Sequence, residues 1–196
     1  MKTPIKKLKY SYGFKTKAEK AALAFRKELG LTVHQALPAK ELAEHLGIIT
    51  LSQLDVPLSD KDLINLNSAD DWSGASFQCC EKSVILYNCK HSEQRNESTI
   101  MHELSHIILE HKPILDSEFE HLGLMLRNYD EIHENEANWL GGCLQIPTEG
   151  IVSSLLKNRT PEQIAIQYNS STEMANYRTN VSGAKKRVYY IRRKQA

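Results

Sequence analysis

The sequence predicts a single compact, mostly helical α+β domain, and three observations point there. Its 196 residues, 41% of them apolar, suffice for one core and are few for two. Seven stretches carry helical periodicity or capping signals. Three β-rich runs are gathered between residues 47 and 90.

In chain order, "AEKAALAFRKELG" aligns Ala18, Ala21, Ala22, Phe25 and Leu29 on one helical face, and Gly30 ends it. "PAKELAEHLG" repeats the design with proline at its start and Gly47 at its exit. "GIITLSQL" reads as a strand, and "SDKDLINL" as a short helix capped by Ser59. "SGASFQ" and "SVILYNCK", separated by the polar "CCEK", read as a β-hairpin. The next helix should begin between Ser92 and Ser98, and Pro113 stops it soon after His111. A further helix is expected from about Tyr129 to Leu144, ahead of Pro147. In "TPEQIAIQY", Thr160 is the cap, Pro161 occupies the first turn and Gln163 closes a capping box; "SSTEMANYR" offers Ser170 and Glu173 for a second.

A formal net charge of +1 gives no overall pull toward nucleic acid or an acidic membrane. The ends differ from the middle. Residues 1–20 hold seven lysines against Glu19, residues 185–196 are basic without any acid, and residues 116–136 are acidic. Solvated basic ends are the expected reading, with a nucleic-acid contact as the alternative. No run of eighteen apolar residues exists, and the lysine-rich start lacks the apolar stretch of a secretory signal, so a cytoplasmic protein with no membrane contact is expected. Cys79, Cys80, Cys89 and Cys143 match neither a zinc ribbon nor a CxxC motif, and are expected to be reduced and mostly buried.

The chemistry is concentrated in "TIMHELSHIILEHKP". On a wheel, Thr99, His102, Glu103, His106 and Glu110 share one arc, opposite Ile100, Leu104, Ile107 and Ile108. Histidines four residues apart can aim both imidazoles at one ion, and Glu103 beside them is placed to hold water for hydrolysis rather than to ligate. Zinc needs a third protein ligand and an open position. His111 falls nearly opposite His102 on the wheel and reads as a C-terminal histidine favoured by the helix dipole. Glu110 lies two turns on from His102. The better source is "YDEIHENEANWLGGCLQIP", where Glu134, Ala137, Asn138 and Gly141 cluster while Glu136 points almost the other way. Small residues at 137 and 141 would let the two helices approach, Glu134 would reach the metal, and Asn138 would orient a ligating imidazole. Glu134 is therefore the expected third ligand, with Glu136 in reserve.

These segments resemble the ImmA/IrrE family of metallo-endopeptidases. The likeness rests on "TIMHELSHIILEH", on "ENEANWLGGCLQIP" and on the preceding "SGASFQ" and "SVILYN", and extends to "LAEHLGI" and "IAIQYNSSTEMANYR". It implies a small antiparallel sheet beside the HELSH helix, a metal held by His102, His106 and the second-helix glutamate, and Glu103 as catalytic acid/base. The expected cofactor is Zn²⁺, with Mn²⁺ as the alternative. The expected partner is a protein substrate, a transcriptional repressor of a mobile element or stress response. Ser105 stands where the family usually has glycine, and Leu140 and Gln145 replace an aromatic and an apolar residue. The chain then divides into a basic N-terminal segment, 1–20, a metallopeptidase domain, 21–184, and a basic tail, 185–196.

Tyr129 and His133 are candidates for stabilising an oxyanion. Two rival functions stand beside hydrolysis. One is a DNA-binding regulator using the "TPEQIAIQY" and "SSTEMANYR" pair as a helix-turn-helix, with Arg178 as base reader and "KKRVYYIRRK" on the backbone. The other is a metal-binding domain that regulates by contact with little turnover.

Overall fold

The computed structural model describes residues 10–56, 72–79, 81–111 and 130–195. These form eight helices and three strands: α1 (Phe14–Glu28), α2 (Ala39–His45), β1 (Ile49–Ser52), β2 (Gly74–Cys79), β3 (Lys82–Tyr87), α3 (Glu93–Ile108), α4 (Glu131–Gln145), α5 (Thr148–Leu156), α6 (Pro161–Gln167), α7 (Thr172–Val181) and α8 (Ala184–Gln195). The result is the expected mostly helical α+β domain. The short helix expected at "SDKDLINL" lies outside the described residues.

Local signals explain most boundaries. Gly30 and Gly47 take positive φ of 68° and 70°, a conformation open to glycine at no steric cost, and so end α1 and α2. Asp130 caps α4 by accepting from the amides of Ile132 and His133. Thr160 and Gln163 form the expected capping box of α6. For α7 the cap is Ser171, one residue beyond the expected Ser170, and it accepts from Met174 N at 3.1 Å.

The hairpin forms as expected, with Cys79 opposite Lys82 and Gly74 opposite Tyr87 in antiparallel pairing. β1 joins the other edge of β3 in parallel, from Ile49 opposite Val84 to Ser52 opposite Tyr87, giving the order β1-β3-β2. The sheet is therefore mixed rather than antiparallel throughout. A tight hairpin dictates the direction of its two strands, whereas β1 arrives from α2 through the turn at Gly47 and is under no such constraint.

Among the described residues, two apolar clusters hold the fold together. The first gathers Phe14, Ala22, Leu42, Ile85, Ile100, Leu104, Trp139 and Leu144 from α1, α2, the sheet, α3 and α4. The second joins Ile146, Ile151, Ile164, Tyr168, Ala175 and Val188, from the end of α4 through α8. Buried arginines tie α4 to both sides. Arg26 donates to the carbonyls of Leu144 and Gln145, satisfying acceptors that a helix end leaves open, and burial lowers its pKa to about 10. Arg178, 0% exposed, donates to Ile146 O and pairs with Glu19 at 2.6 Å. Burial pushes the Glu19 carboxyl up, but Arg178 and Thr148 outweigh it and hold the pKa below its ordinary value.

That burial removes Arg178 from any role as a base reader, since its guanidinium is committed inside the protein. The described parts of the basic ends, residues 10–20 and 184–195, are more ordered than expected. Residues 184–195 form α8 rather than a tail, because Ala184, Val188 and Ile191 recur at helical spacing and pack against the second cluster. At the other end α1 starts at Phe14, with Phe14 and Ala18 buried, so residues 14–20 belong to the folded unit. The described cysteines are less buried than expected: Cys79 is exposed, Cys89 is half-buried and Cys143 is buried, while Cys80 lies outside the described residues. No helix among the described residues is long and apolar enough to cross a membrane.

Gly150 in α5 shows how closely the second cluster is fitted. A Cβ there would lie 2.6 Å from the carbonyl oxygen of Val33 and collide with the Tyr168 hydroxyl, which donates to that same carbonyl. Gly150→Ala is expected to cost about 1–3 kcal/mol through overpacking, seen as a lower urea midpoint. An unchanged midpoint would show that the Val33 backbone gives way freely.

Candidate metal centre

The centre is built where α3 crosses α4. Ser92 caps α3 by accepting from Arg95 N, and Ile100, Met101 and Leu104 bury one side of the helix in the first cluster. His102, Glu103 and His106 occupy the other side. Across from them Ala137 is fully buried, and a Cβ on Gly141 would sit 3.3 Å from Met101 O and 3.4 Å from Ser105 Oγ. Glycine thus permits the close approach that the small residues predict. Ser105 is itself buried, its hydroxyl donating back to Met101 O at 2.7 Å.

Nε2 of His102 and Nε2 of His106 lie 3.1 Å apart, and the two Glu134 oxygens lie 3.3 Å from them, Oε2 from His102 and Oε1 from His106. One ligand atom from each residue falls within 4.8 Å of the others. A tetrahedral ion with bonds of about 2.0–2.1 Å to nitrogen and oxygen separates its ligand atoms by about 3.3 Å, and the spacing found here matches. Proton placement agrees. His102 Nδ1 lies 3.1 Å from Asn138 Oδ1; an amide oxygen accepts, so Nδ1 carries the hydrogen and Nε2 turns a lone pair inward. Lone pairs and a carboxylate that converge without a shared proton repel one another until a cation sits between them. The group suits a divalent ion. The side chains of His102 and Glu134 are 26% and 29% exposed, leaving a side open to solvent.

Glu103 stands apart from the three. It is 8% exposed, and its Oε2 accepts from Ser76 Oγ on β2 at 2.5 Å. It faces a cleft of about 340 Å³ bounded by Gly74, Thr99, His102, Asn138 and Gly141. Ser76 is a contact of Glu103 that the sequence alone does not mark. The strand's period of two puts Gly74 and Ser76 on one face, but nothing in "SGASFQ" says which face meets α3.

The disfavoured histidine proves closer than the wheel allows. α3 ends at Ile108, Glu110 takes φ 52°, and His111 N bonds back to His106 O while Glu110 N bonds to Ile107 O. This Schellman turn swings His111 back to His106, with the two Nδ1 atoms 3.0 Å apart. Glu136, the ligand held in reserve, points to His111 Nε2 at 3.4 Å and accepts from Ser11. Burial raises the Glu136 pKa, but the Ser11 and His111 bonds prevail and hold it below the ordinary value. Burial, and then the neighbouring His133, lower the pKa of His111 below its ordinary value. Glu110 is exposed, past the end of the helix. His133 stacks on His111 with centroids 4.2 Å apart, and Tyr129 lies outside the described residues.

The profile of the IrrE N-terminal-like domain, a peptidase family, matches residues 49–180. The chain belongs to this family. The IrrE-like match takes in the whole sheet, α3, α4 and most of α7. No protein with a curated description matches the chain. Among solved structures, a Mycobacterium tuberculosis transcriptional regulator matches with a TM-score of 0.51 at 13% identity, covering 86% of this chain and 47% of that one. The likeness is one of fold. The IrrE-like chain spans about half the length of that regulator.

Proposed function

We propose that the protein is a zinc-dependent endopeptidase of the IrrE type, with His102, His106 and Glu134 as metal ligands and Glu103 as catalytic acid/base. The observation that carries this reading is the meeting of two ring nitrogens and a carboxylate at 3.1–3.3 Å beside a separate, buried glutamate. His102, His106 and Glu134 would hold a divalent ion, and the chemistry it would supply is a water acidified to a pKa of about 7 and a polarised peptide carbonyl. Glu103, its carboxylate steadied by Ser76, takes the proton from the attacking water and returns it to the departing amine. Asn138 holds His102 in the ligating tautomer. β2 has β3 as its one strand partner among the described residues, and Ser76 ties it to the site. An extended substrate laid along that edge would pass Glu103.

The substrate we favour is a transcriptional repressor, as family resemblance implies; the structural neighbour, itself a transcriptional regulator, suits that setting. Manganese is the alternative metal. The test is to incubate the purified protein with a repressor encoded beside its gene, with Zn²⁺ and with a chelator. Discrete fragments should appear with zinc and vanish with chelator. An intact repressor at full metal occupancy would overturn the substrate, and chelator-resistant cleavage would overturn the chemistry.

A further inference from the structure

His106 is 3% exposed, and its Nδ1 faces Nδ1 of His111 at 3.0 Å. Beyond His111, Nε2 faces Glu136 Oε2 at 3.4 Å, while Glu136 Oε1 accepts from the backbone amide and the hydroxyl of Ser11. The direction of donation along this row is fixed by chemistry. Glu136 Oε2 faces His111 Nε2 as an acceptor, so that nitrogen carries the hydrogen and the ring's other nitrogen, Nδ1, offers its lone pair to His106. The hydrogen between the rings therefore belongs to His106 Nδ1. Nε2 of His106 is left bare, and it is the atom aimed at His102 and Glu134.

We infer that His111 and Glu136 are positioning residues that impose the metal-binding tautomer on His106. The inference rests on the metal-centre reading above. His106 is the most buried of the three proposed ligands, and a ring in the wrong tautomer would present N–H to the ion. Several features keep His111 in place. The Schellman turn at Glu110 brings it back to the helix, His133 stacks on its ring at an interplanar angle of 14°, and its side chain is 5% exposed. Ser11 anchors Glu136 from the stretch ahead of α1, where Tyr10 packs edge-on against Trp139 of α4. The row thus runs from the N-terminal side of the fold into the centre, parallel in purpose to the Asn138 contact on His102.

Glu136→Gln makes the decisive variant because it keeps the shape and reverses the donation. Its carbonyl can retain the Ser11 bonds, which turns the amide N–H₂ toward His111. His111 Nε2 must then accept, its Nδ1 carries the hydrogen, and His106 is driven to the Nε2–H form.

The test combines long-range ¹H–¹⁵N NMR of the imidazoles in metal-free protein with Zn²⁺ competition against a chromophoric chelator. In the parent, His106 should be protonated at Nδ1; in Glu136→Gln it should move to Nε2. Zinc should bind about 10–100-fold more weakly in Glu136→Gln and in His111→Phe, the loss typical of a partner removed from a ligating histidine. His111→Asn, whose amide oxygen can accept near the place of Nδ1, should retain most of the affinity. An Nε2–H His106 in the parent, or a Glu136→Gln protein with unchanged tautomer and unchanged affinity, would overturn the inference. If His111→Phe fails to fold, the Glu136→Gln measurements decide by themselves. A parent that binds no zinc sinks the metal centre instead, while the parent tautomer still judges the relay.

Discussion

Glu103→Gln is expected to lower peptide cleavage by about 10²–10⁴-fold, the usual contribution of a positioned acid/base, while zinc affinity stays near that of the parent. Glutamine fills the same volume, and its carbonyl can still accept from Ser76, so the buried side chain need not move. What disappears is the ability to take up a proton and pass it on. Glu103 is not among the three side chains that converge on the ion position, which is why binding should survive. Fragment release and metal content, measured on the same preparations, separate the two effects. A variant as active as the parent would remove Glu103 from the mechanism. A fully metallated parent with no turnover on any tested repressor would favour the metal-binding regulator that acts by contact.

Glu134→Ala is expected to weaken zinc binding by more than the roughly 10–100-fold attributed to an outer partner, because it would delete a proposed ligand instead of a group proposed to orient one. Both carboxylate oxygens of Glu134 stand 3.3 Å from ring nitrogens, and no other acid of the described residues completes such a triad. Glu136→Ala should cost less, since that carboxylate touches His111 and Ser11 and not the ion position. Metal content after dialysis against a weak chelator gives the ranking. Full occupancy in Glu134→Ala would remove it from the coordination sphere.

Much of this was legible in the chain. The two-helix origin of the candidate centre followed from rotation angles on α3 and α4, and the close approach at Gly141 followed from residue size. The turn at His111 was not legible, because an angular projection holds only while the helix lasts. Glycine or asparagine past Ile108 would have marked the stop, and a glutamate with φ 52° occupies that place instead. α5 was overlooked although Ile151, Val152 and Leu155 have helical spacing, since Pro147 read only as the end of the preceding helix. The parallel pairing of β1 depends on contacts between segments far apart in sequence, which no local pattern encodes. Arg178 looked like a surface cation because arginine is so rarely buried, and its partner Glu19 lies 159 positions away.

The guanidinium grip on the far end of α4 gives that helix the character of a lever arm. Ten residues separate Glu134 from Leu144, about 15 Å at 1.5 Å per residue. A swing of only about 4° about the anchored end would carry the carboxylate by about 1 Å, a misplacement of the size that can cost about a hundredfold in rate. Under the proposed mechanism, the arginines that hold the carbonyls of Leu144, Gln145 and Ile146 would help set the aim of Glu134 from the other end of α4.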